Sequence, residues 1–154
     1  KISKFISYKE ATHSNSAKQF NISNKPKAEH IKNMELLAEK IFEPLREWVG
    51  HPIKVNSMYR SEKLNKLIKG SSNSSHLKGQ AIDITSLGVK TNLEMFYYII
   101  ENLDFDQLIW EYGKEPKWLH VSYNSEKQNR NQILKVLSGS KYMLFDKNNI
   151  CKNC

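Results

Sequence analysis

The chain has 154 residues, of which 39% are hydrophobic and 26% are charged, and it carries a formal net charge of +8. This length fits a single domain with a real hydrophobic core, and no stretch is both apolar and long enough to span a membrane. The charge predicts either attraction to polyanions or a solvated basic surface. Because the lysines are scattered and no nucleic-acid motif is visible, we do not expect a nucleic-acid partner.

The first third of the chain is predicted to be helical scaffold. The segment from Ser7 to Phe20 predicts a short helix of low apolar content. Pro26 stands at a favoured first-turn position of a long helix. Pro44 should kink this helix or end its regular part, and Gly50 should stop it. The helix carries one continuous apolar stripe, in which the residues recur at steps of three and four and comprise Ile31, Met34, Ala38, Ile41, Leu45 and Trp48.

A strand, a helix and a loop are predicted next. The strand runs from Ile53 to Met58, and Ser61 caps a short helix that continues through Ile68. The run from Gly70 to Ser75 has no apolar content and is therefore expected to be loop. This loop leads directly to His76.

The segment from Gln80 to Thr85 shows the alternation of a half-buried strand. If Ile82 and Ile84 face a core, Asp83 faces outward into a cleft. Gly79 lets the backbone turn tightly just before the strand. His76 can therefore fold back over the strand that carries the carboxylate.

A helix and a hairpin follow. Thr91 is a reasonable cap for a helix from Asn92 to Asn102, with Glu94 completing a capping box. The segments from Phe105 to Tyr112 and from Lys117 to Tyr123 are rich in aromatic and branched residues. Because four turn-forming residues separate them, they predict a hairpin with a four-residue loop.

The pairing of this hairpin decides which side chains share a surface. If Tyr112 pairs with Lys117, then Glu111 faces Trp118 and Ile109 faces His120. Glu111 then lies diagonal to His120 on the same face. A slip of one residue would move Glu111 to the other face.

The residues from 133 onward predict a second hairpin. Its strands run from Ile133 to Leu137 and from Lys141 to Phe145. Together the elements predict an α+β domain, in which a small, mostly antiparallel sheet carries the site and helices pack on its other face. Cys151 and Cys154 form a Cys-x-x-Cys pair, but no second pair exists to complete a zinc knuckle, so we expect no metal role and leave a disulfide open.

His76, Asp83 and His120 are a candidate three-ligand metal site. Three protein ligands leave a fourth position open for water, which distinguishes a catalytic zinc site from a closed structural one. A carboxylate beside such a water is what a hydrolase needs as general base, and Glu111 is in that position if the predicted register holds.

Three sequence elements carry a resemblance to a known family. The string Ser74-x-His76-x-x-Gly79-x-Ala81-x-Asp83 and the later Trp118-x-His120 resemble the zinc D-alanyl-D-alanine carboxypeptidase and dipeptidase family. Ser-Met-Tyr-Arg-Ser at 57–61 is similar to its upstream Ser-x-Tyr-Arg-Ser element. The family includes phage endolysins that cut the L-alanyl-D-glutamate bond of peptidoglycan stem peptides, and the overlap runs from Ile53 to Tyr123.

The resemblance implies a fold of the hedgehog and D-Ala-D-Ala peptidase type and a zinc metallopeptidase activity on peptidoglycan peptides. It assigns the Zn²⁺ ligands to His76, Asp83 and His120. Arg60 would bind a substrate carbonyl or carboxylate and stabilise the oxyanion, and Ser74 would hydrogen-bond substrate near the metal. Both carboxypeptidases and endopeptidases, from phages and from bacteria, belong to the family, so the cleaved bond and the source stay open.

One position departs from the family pattern. Many members carry an acidic catalytic base three residues before the last histidine, where this chain has Lys117. Glu111 is the first candidate for the base, on the hairpin geometry and on a likeness to phage-type members around residues 107–113, and Glu115 is the second. If neither serves, the chain is a non-catalytic zinc-containing binding module, as in the related hedgehog signalling domain. Trp118 is a candidate substrate-binding residue and is expected in the wall of the cleft or in the core.

We expect one zinc peptidase domain over residues 1–154. It would comprise an N-terminal extension at 1–25, a core with the metal site at 26–123, and a C-terminal hairpin and tail at 124–154. The expected form is a monomer that acts on the cell wall, either exported or released by a phage during lysis. An anionic cell wall would also account for the positive charge.

Overall fold

The computed structural model describes residues 1–136, 139 and 142–145. None of the helices in these ranges is long and apolar enough to cross a membrane. The elements in chain order are α1 (Tyr8–Thr12), α2 (Asn15–Gln19), α3 (Ala28–Leu37), a π-helical turn (Ala38–Phe42), α4 (Glu43–Val49), β1 (Ile53–Ser57), α5 (Glu62–Leu67), a 3₁₀ turn (Ser75–Lys78), β2 (Ala81–Ser86), α6 (Asn92–Asn102), β3 (Gln107–Glu111), β4 (Trp118–Ser122), β5 (Gln132–Val136) and β6 (Tyr142–Leu144).

Six strands form one mixed sheet in the order β1-β2-β4-β3-β5-β6. Every neighbouring pair is antiparallel except β3 and β5, which run parallel. The prediction of an α+β fold with a mostly antiparallel sheet therefore agrees with the structure. The parallel pair was not predicted, and it arises because the chain after β4 crosses over β3 before it forms β5.

The two faces of the sheet have different roles. One face carries fully buried residues such as Ile82, Ile84 and Leu119, which join the core formed with the helices. Asp83 and His120 alternate with these residues and so point to the opposite face. The strand alternation thus separates a packed side from a side that is free to carry a site.

The segment that precedes α3 differs from its prediction. The single helix predicted from Ser7 to Phe20 is wrong, because α1 and α2 are separated by an extended His13. Ser14 starts the second helix, since its hydroxyl accepts a hydrogen bond from the Ala17 amide at 3.2 Å. Ile2, Ile6 and Ala11 belong to the hydrophobic core. The division of the chain at residues 25 and 123 stays a prediction.

The long helix begins later than predicted and contains a π-helical turn. It starts at Ala28, so Pro26 lies before the first turn. The regular hydrogen-bond pattern ends before Pro44, as predicted, because the Glu43 amide donates to the carbonyl of Ala38, five residues earlier. This turn accommodates the missing N–H of Pro44. Gly50, with φ at +74°, caps the end as expected.

The other predicted helices and strands agree with the structure, apart from the residues at which they begin and end. Ser61 caps α5, and Thr91 with Glu94 forms the capping box of α6. The first hairpin has the predicted register, although its loop is two residues longer, because Tyr112 has a left-handed φ of 63° and leaves the strand. β5 and β6 form the second hairpin, with Leu137, Ser138, Ser140 and Lys141 outside the described residues.

Candidate metal centre

His76 reaches the sheet from a short turn that precedes β2. It lies in the 3₁₀ turn Ser75–Lys78, which the sequence did not predict, and its side chain is buried. The turn is started by Ser74, whose hydroxyl accepts a hydrogen bond from the His76 amide at 3.4 Å. Gly79 then adopts φ +70° and directs the chain into the strand, as predicted. The imidazole Nε2 atom therefore lies 3.2 Å from Asp83 Oδ2.

Backbone contacts fix the orientation of the His76 ring. Nδ1 lies 2.7 Å from the carbonyl oxygen of Met58, so this nitrogen carries the proton and donates it. The Arg60 amide in turn donates to the His76 carbonyl at 3.1 Å. In a neutral ring with its proton on Nδ1, the second nitrogen, Nε2, would carry no proton and could bind a metal, which is the usual arrangement of a metal-ligating histidine.

His120 completes the group from the neighbouring strand. It is the cross-strand partner of Asp83, and its Nδ1 atom lies 2.9 Å from Asp83 Oδ1. One ligand atom from each of His76, Asp83 and His120 lies within 4.8 Å of the others, so these residues could hold a metal ion. Two imidazole nitrogens and one carboxylate oxygen suit zinc and leave a position open for water.

The charge state of Asp83 is favourable for a ligand. Burial acts to raise the pKa of its carboxyl, but the charges and hydrogen bonds of His76 and His120 outweigh burial and hold the pKa well below its usual range. The group is therefore an anion at neutral pH. A cation bound between the three residues would therefore meet at least one negatively charged ligand.

Glu111 faces the same cleft. It pairs with Trp118, and Ile109 pairs with His120, so Glu111 lies diagonal to the histidine as predicted. These residues line a cavity of about 590 Å³ together with the three candidate ligands. Burial raises the pKa of the Glu111 carboxyl, His120 opposes this and Asp83 adds to it. Within the described residues its carboxylate has no hydrogen-bond partner.

The second candidate for the base, Glu115, and the residue at the position of the family's acidic base, Lys117, both lie outside the cavity. Glu115 is exposed in the loop between β3 and β4 and does not line the cavity. Lys117 is also exposed, and its side chain lies near the turn at Gly113. Of the two glutamates considered from the sequence, Glu111 alone lines the cavity with the candidate ligands.

Arg60 lines the cavity on the side of β1 and is held there by a residue that the sequence analysis missed. Its Nη1 atom donates to Asn65 Oδ1 at 3.1 Å, and Asn65 Nδ2 donates to the Ser71 carbonyl at 2.9 Å. Burial lowers the pKa of Arg60 and Asp83 opposes this. A Cβ on Gly70 would lie 2.1 Å from Asn65 Oδ1, which accounts for glycine there. The sequence signal that could have identified Asn65 is that it is a polar residue on the buried side of α5.

Ser74 and Trp118 also line the cavity, where their substrate roles stay predictions. Trp118 packs against Tyr112 with ring centroids 5.3 Å apart, so it forms part of the cleft wall. Two further lining residues, Leu134 and Tyr142, come from β5 and β6 and were missed. The alternation of the predicted strand that begins at Ile133 could have indicated that Leu134 points away from the core. The sequence could not show that this strand pairs with β3 and so brings Leu134 into the cavity.

We expect Gly79→Ala to destabilise the fold more than a glycine replacement without a close neighbour. A Cβ at Gly79 would lie 2.6 Å from the His30 carbonyl oxygen and 2.9 Å from Met34 Cγ, at a φ of +70°. We predict a loss of about 2 kcal/mol, which corresponds to a fall in Tm of about 4 to 8 °C. Gly50→Ala is the control, because it has φ +74° and nothing within 4 Å. A thermal unfolding experiment in which Gly50→Ala loses as much as Gly79→Ala would contradict the close packing of the turn.

A comparison with protein families places this arrangement in a known group. The family described as peptidase M15 matches residues 5–122, which is well over half of the chain and contains all three candidate metal ligands. Among curated proteins, none matches the chain. The family is one of metallopeptidases, and the His-Asp-His group supplies residues that could hold the metal such an enzyme needs. The chain therefore belongs to the peptidase M15 family.

Proposed function

We propose that the protein is a zinc-dependent peptidase that hydrolyses peptidoglycan stem peptides containing D-amino acids, as a carboxypeptidase or as an L-alanyl-D-glutamate endopeptidase of the endolysin type. The observation that carries the proposal is the convergence of His76, Asp83 and His120 beside a partly buried glutamate in one cleft of a chain that belongs to a peptidase family. The resemblance of the motif strings to the D-Ala-D-Ala peptidases supports the substrate class.

His76, Asp83 and His120 would hold the metal. A bound zinc ion would polarise the scissile carbonyl and lower the pKa of a water molecule toward ~7. His76 is suited to this role because its Nδ1–H bond to Met58 leaves Nε2 free. Asp83 is suited because it stays ionised.

Glu111 would act as general base and then as general acid. It takes a proton from the attacking water and returns it to the leaving amine. A carboxyl whose pKa is raised by burial accepts a proton more readily than an exposed glutamate and releases it more readily than a fully buried one. Its place on the His120 face of the hairpin supports this assignment.

Arg60 would bind a substrate carbonyl or carboxylate and stabilise negative charge on the reacting oxygen. Its side chain is partly buried and fixed by Asn65, so its orientation is set before substrate arrives. Ser74 would offer its hydroxyl to substrate near the metal, and Trp118 would contact the bound peptide from the cleft wall.

A second candidate is a non-catalytic zinc-containing binding module of the same fold. The observation that favours it is Lys117 at the position where many relatives carry the acidic base. Lys117 is exposed, and Glu111 lines the cavity instead. These two facts favour the enzyme over the binding module.

The experiment is incubation of zinc-loaded protein with purified muropeptides, followed by mass spectrometry of the fragments. We expect the loss of a terminal D-alanine or a cut within the stem peptide, and the fragment masses identify the bond. Intact muropeptides, with zinc bound at one ion per chain, would favour the binding module. Salt-sensitive DNA binding without any effect on cell walls would contradict both.

Arg60→Lys should lower kcat/KM by about 10- to 100-fold, because an ammonium group cannot reproduce the planar fork that orients substrate. Zinc content and Tm should stay close to those of the parent. Arg46→Lys is the matched control, since Arg46 lies over the ring of Phe5 and does not line the cleft. If Arg60→Lys turns over as fast as Arg46→Lys, Arg60 has only a structural role.

A further inference from the structure

Residues from four neighbouring strands form a row on the face of the sheet to which Asp83 and His120 point. The register pairs His120 with Ile109, Ile109 with Leu134, and Leu134 with Leu144. Paired residues of adjacent strands share a face, so the row runs from the metal ligands outward across β3, β5 and β6. The last two strands lie beyond residue 122, where the family match ends.

The outer part of this row is apolar and accessible. Ile133 packs in the hydrophobic core, so its neighbour Leu134 faces the cleft, where it lines the cavity. Tyr142 pairs with Val136, two residues along β5 from Leu134, so it belongs to the neighbouring row of the same face; it is 56% exposed and lines the same cavity. Apolar side chains that remain accessible and continuous with a cleft are typical of a binding surface.

The spacing of the strands places this surface within reach of a bound peptide. Adjacent strands lie about 4.8 Å apart, so Ile109 lies about 5 Å and Leu134 about 10 Å from His120. An extended peptide rises about 3.3 Å per residue. The side chain of a substrate residue next to the scissile bond can therefore reach the surface formed by Ile109 and Leu134. Arg60, which follows β1, lies at the opposite end of the strand order.

We propose that Ile109, Leu134 and Tyr142 form an apolar subsite that binds the aliphatic side chain of a substrate residue adjacent to the scissile bond. This inference rests on the proposed peptidase function and adds a specificity determinant to it. Glu111 lies in the same row as Tyr142, with Val136 between them, and lines the same cavity, so an acidic substrate side chain would meet a like charge and lose its hydration. The subsite should therefore select aliphatic over acidic residues.

The test uses synthetic stem peptides in which the residue on one or the other side of the cleaved bond is leucine or glutamate. At one of the two positions, the kcat/KM of the wild-type protein for the leucine peptide should exceed that for the glutamate peptide by at least about 10-fold. Leu134→Asn and Leu134→Ala should both reduce this preference, mainly through KM. Met143→Asn is the control, because Met143 is 55% exposed on the next strand and does not line the cavity.

Three results separate the possibilities. An unchanged preference in both Leu134 variants, with normal thermal unfolding, contradicts the subsite and leaves the peptidase function intact. If the wild type cleaves none of the peptides, their binding is measured by calorimetry. Tighter binding of a leucine peptide that is lost in Leu134→Asn then supports the subsite while the peptidase function fails, and equal binding of all peptides contradicts the subsite as well.

Discussion

Glu111→Gln should lower kcat by a factor of about 100 to 10,000 while the protein still binds zinc and substrate. The amide keeps the size of the side chain and part of its hydrogen bonding, but it cannot take a proton from water. The measurement is steady-state cleavage of the muropeptide identified as substrate, together with the zinc content of the purified variant. A large fall in kcat with little change in KM is the expected pattern.

Glu115→Gln is the matched control for this prediction. Glu115 lies in the loop between β3 and β4, carries the same side chain and does not line the cavity, so its replacement should leave kcat nearly unchanged. Near-normal activity of Glu111→Gln with an inactive Glu115→Gln would transfer the role of base to the loop. If both variants are fully active, the proposed proton transfer is wrong.

His76→Ala and His120→Ala should each remove most of the bound zinc and most of the activity. Each change leaves only two of the three protein ligands, and the loss of His76 also leaves the Met58 carbonyl without its donor. Zinc measured by mass spectrometry of the purified protein should fall from one ion per chain to well below one.

His13→Ala serves as the control for both variants. His13 is exposed between α1 and α2, and its Nε2 atom lies 3.0 Å from Asn15 Oδ1. Zinc content should be the same as in the parent. If both His76→Ala and His120→Ala keep one zinc per chain, the metal is bound elsewhere and the assignment of the centre fails.

The parts of the site that the sequence predicted depend on short-range patterns. The alternation around Ile82 and Ile84 was enough to direct Asp83 away from the core, and hairpin pairing was enough to place Ile109 opposite His120. These relations involve neighbours in one strand or across one turn. The contact between His76 and Asp83 followed from the same short segment, since Gly79 reverses the chain between them.

The parts that the sequence did not predict depend on long-range contacts. The parallel pairing of β3 with β5 brings Leu134 beside Ile109, and no local pattern indicates which strand a distant segment will join. The bond between Arg60 and Asn65 depends on how α5 packs against the loop after it. The π-helical turn before Pro44 is an adjustment of the backbone that a hydrophobic stripe does not encode.

The measurement that tests the central claim most directly is the titration of metal-free protein with zinc while muropeptide cleavage is followed by mass spectrometry. We predict no cleavage without metal, a linear rise with added zinc, and a plateau at one ion per chain. His120→Ala, titrated in the same way, should stay inactive throughout. Full cleavage by the metal-free protein, or a rate that does not depend on zinc, would contradict the proposal that His76, Asp83 and His120 hold the metal of a peptidase.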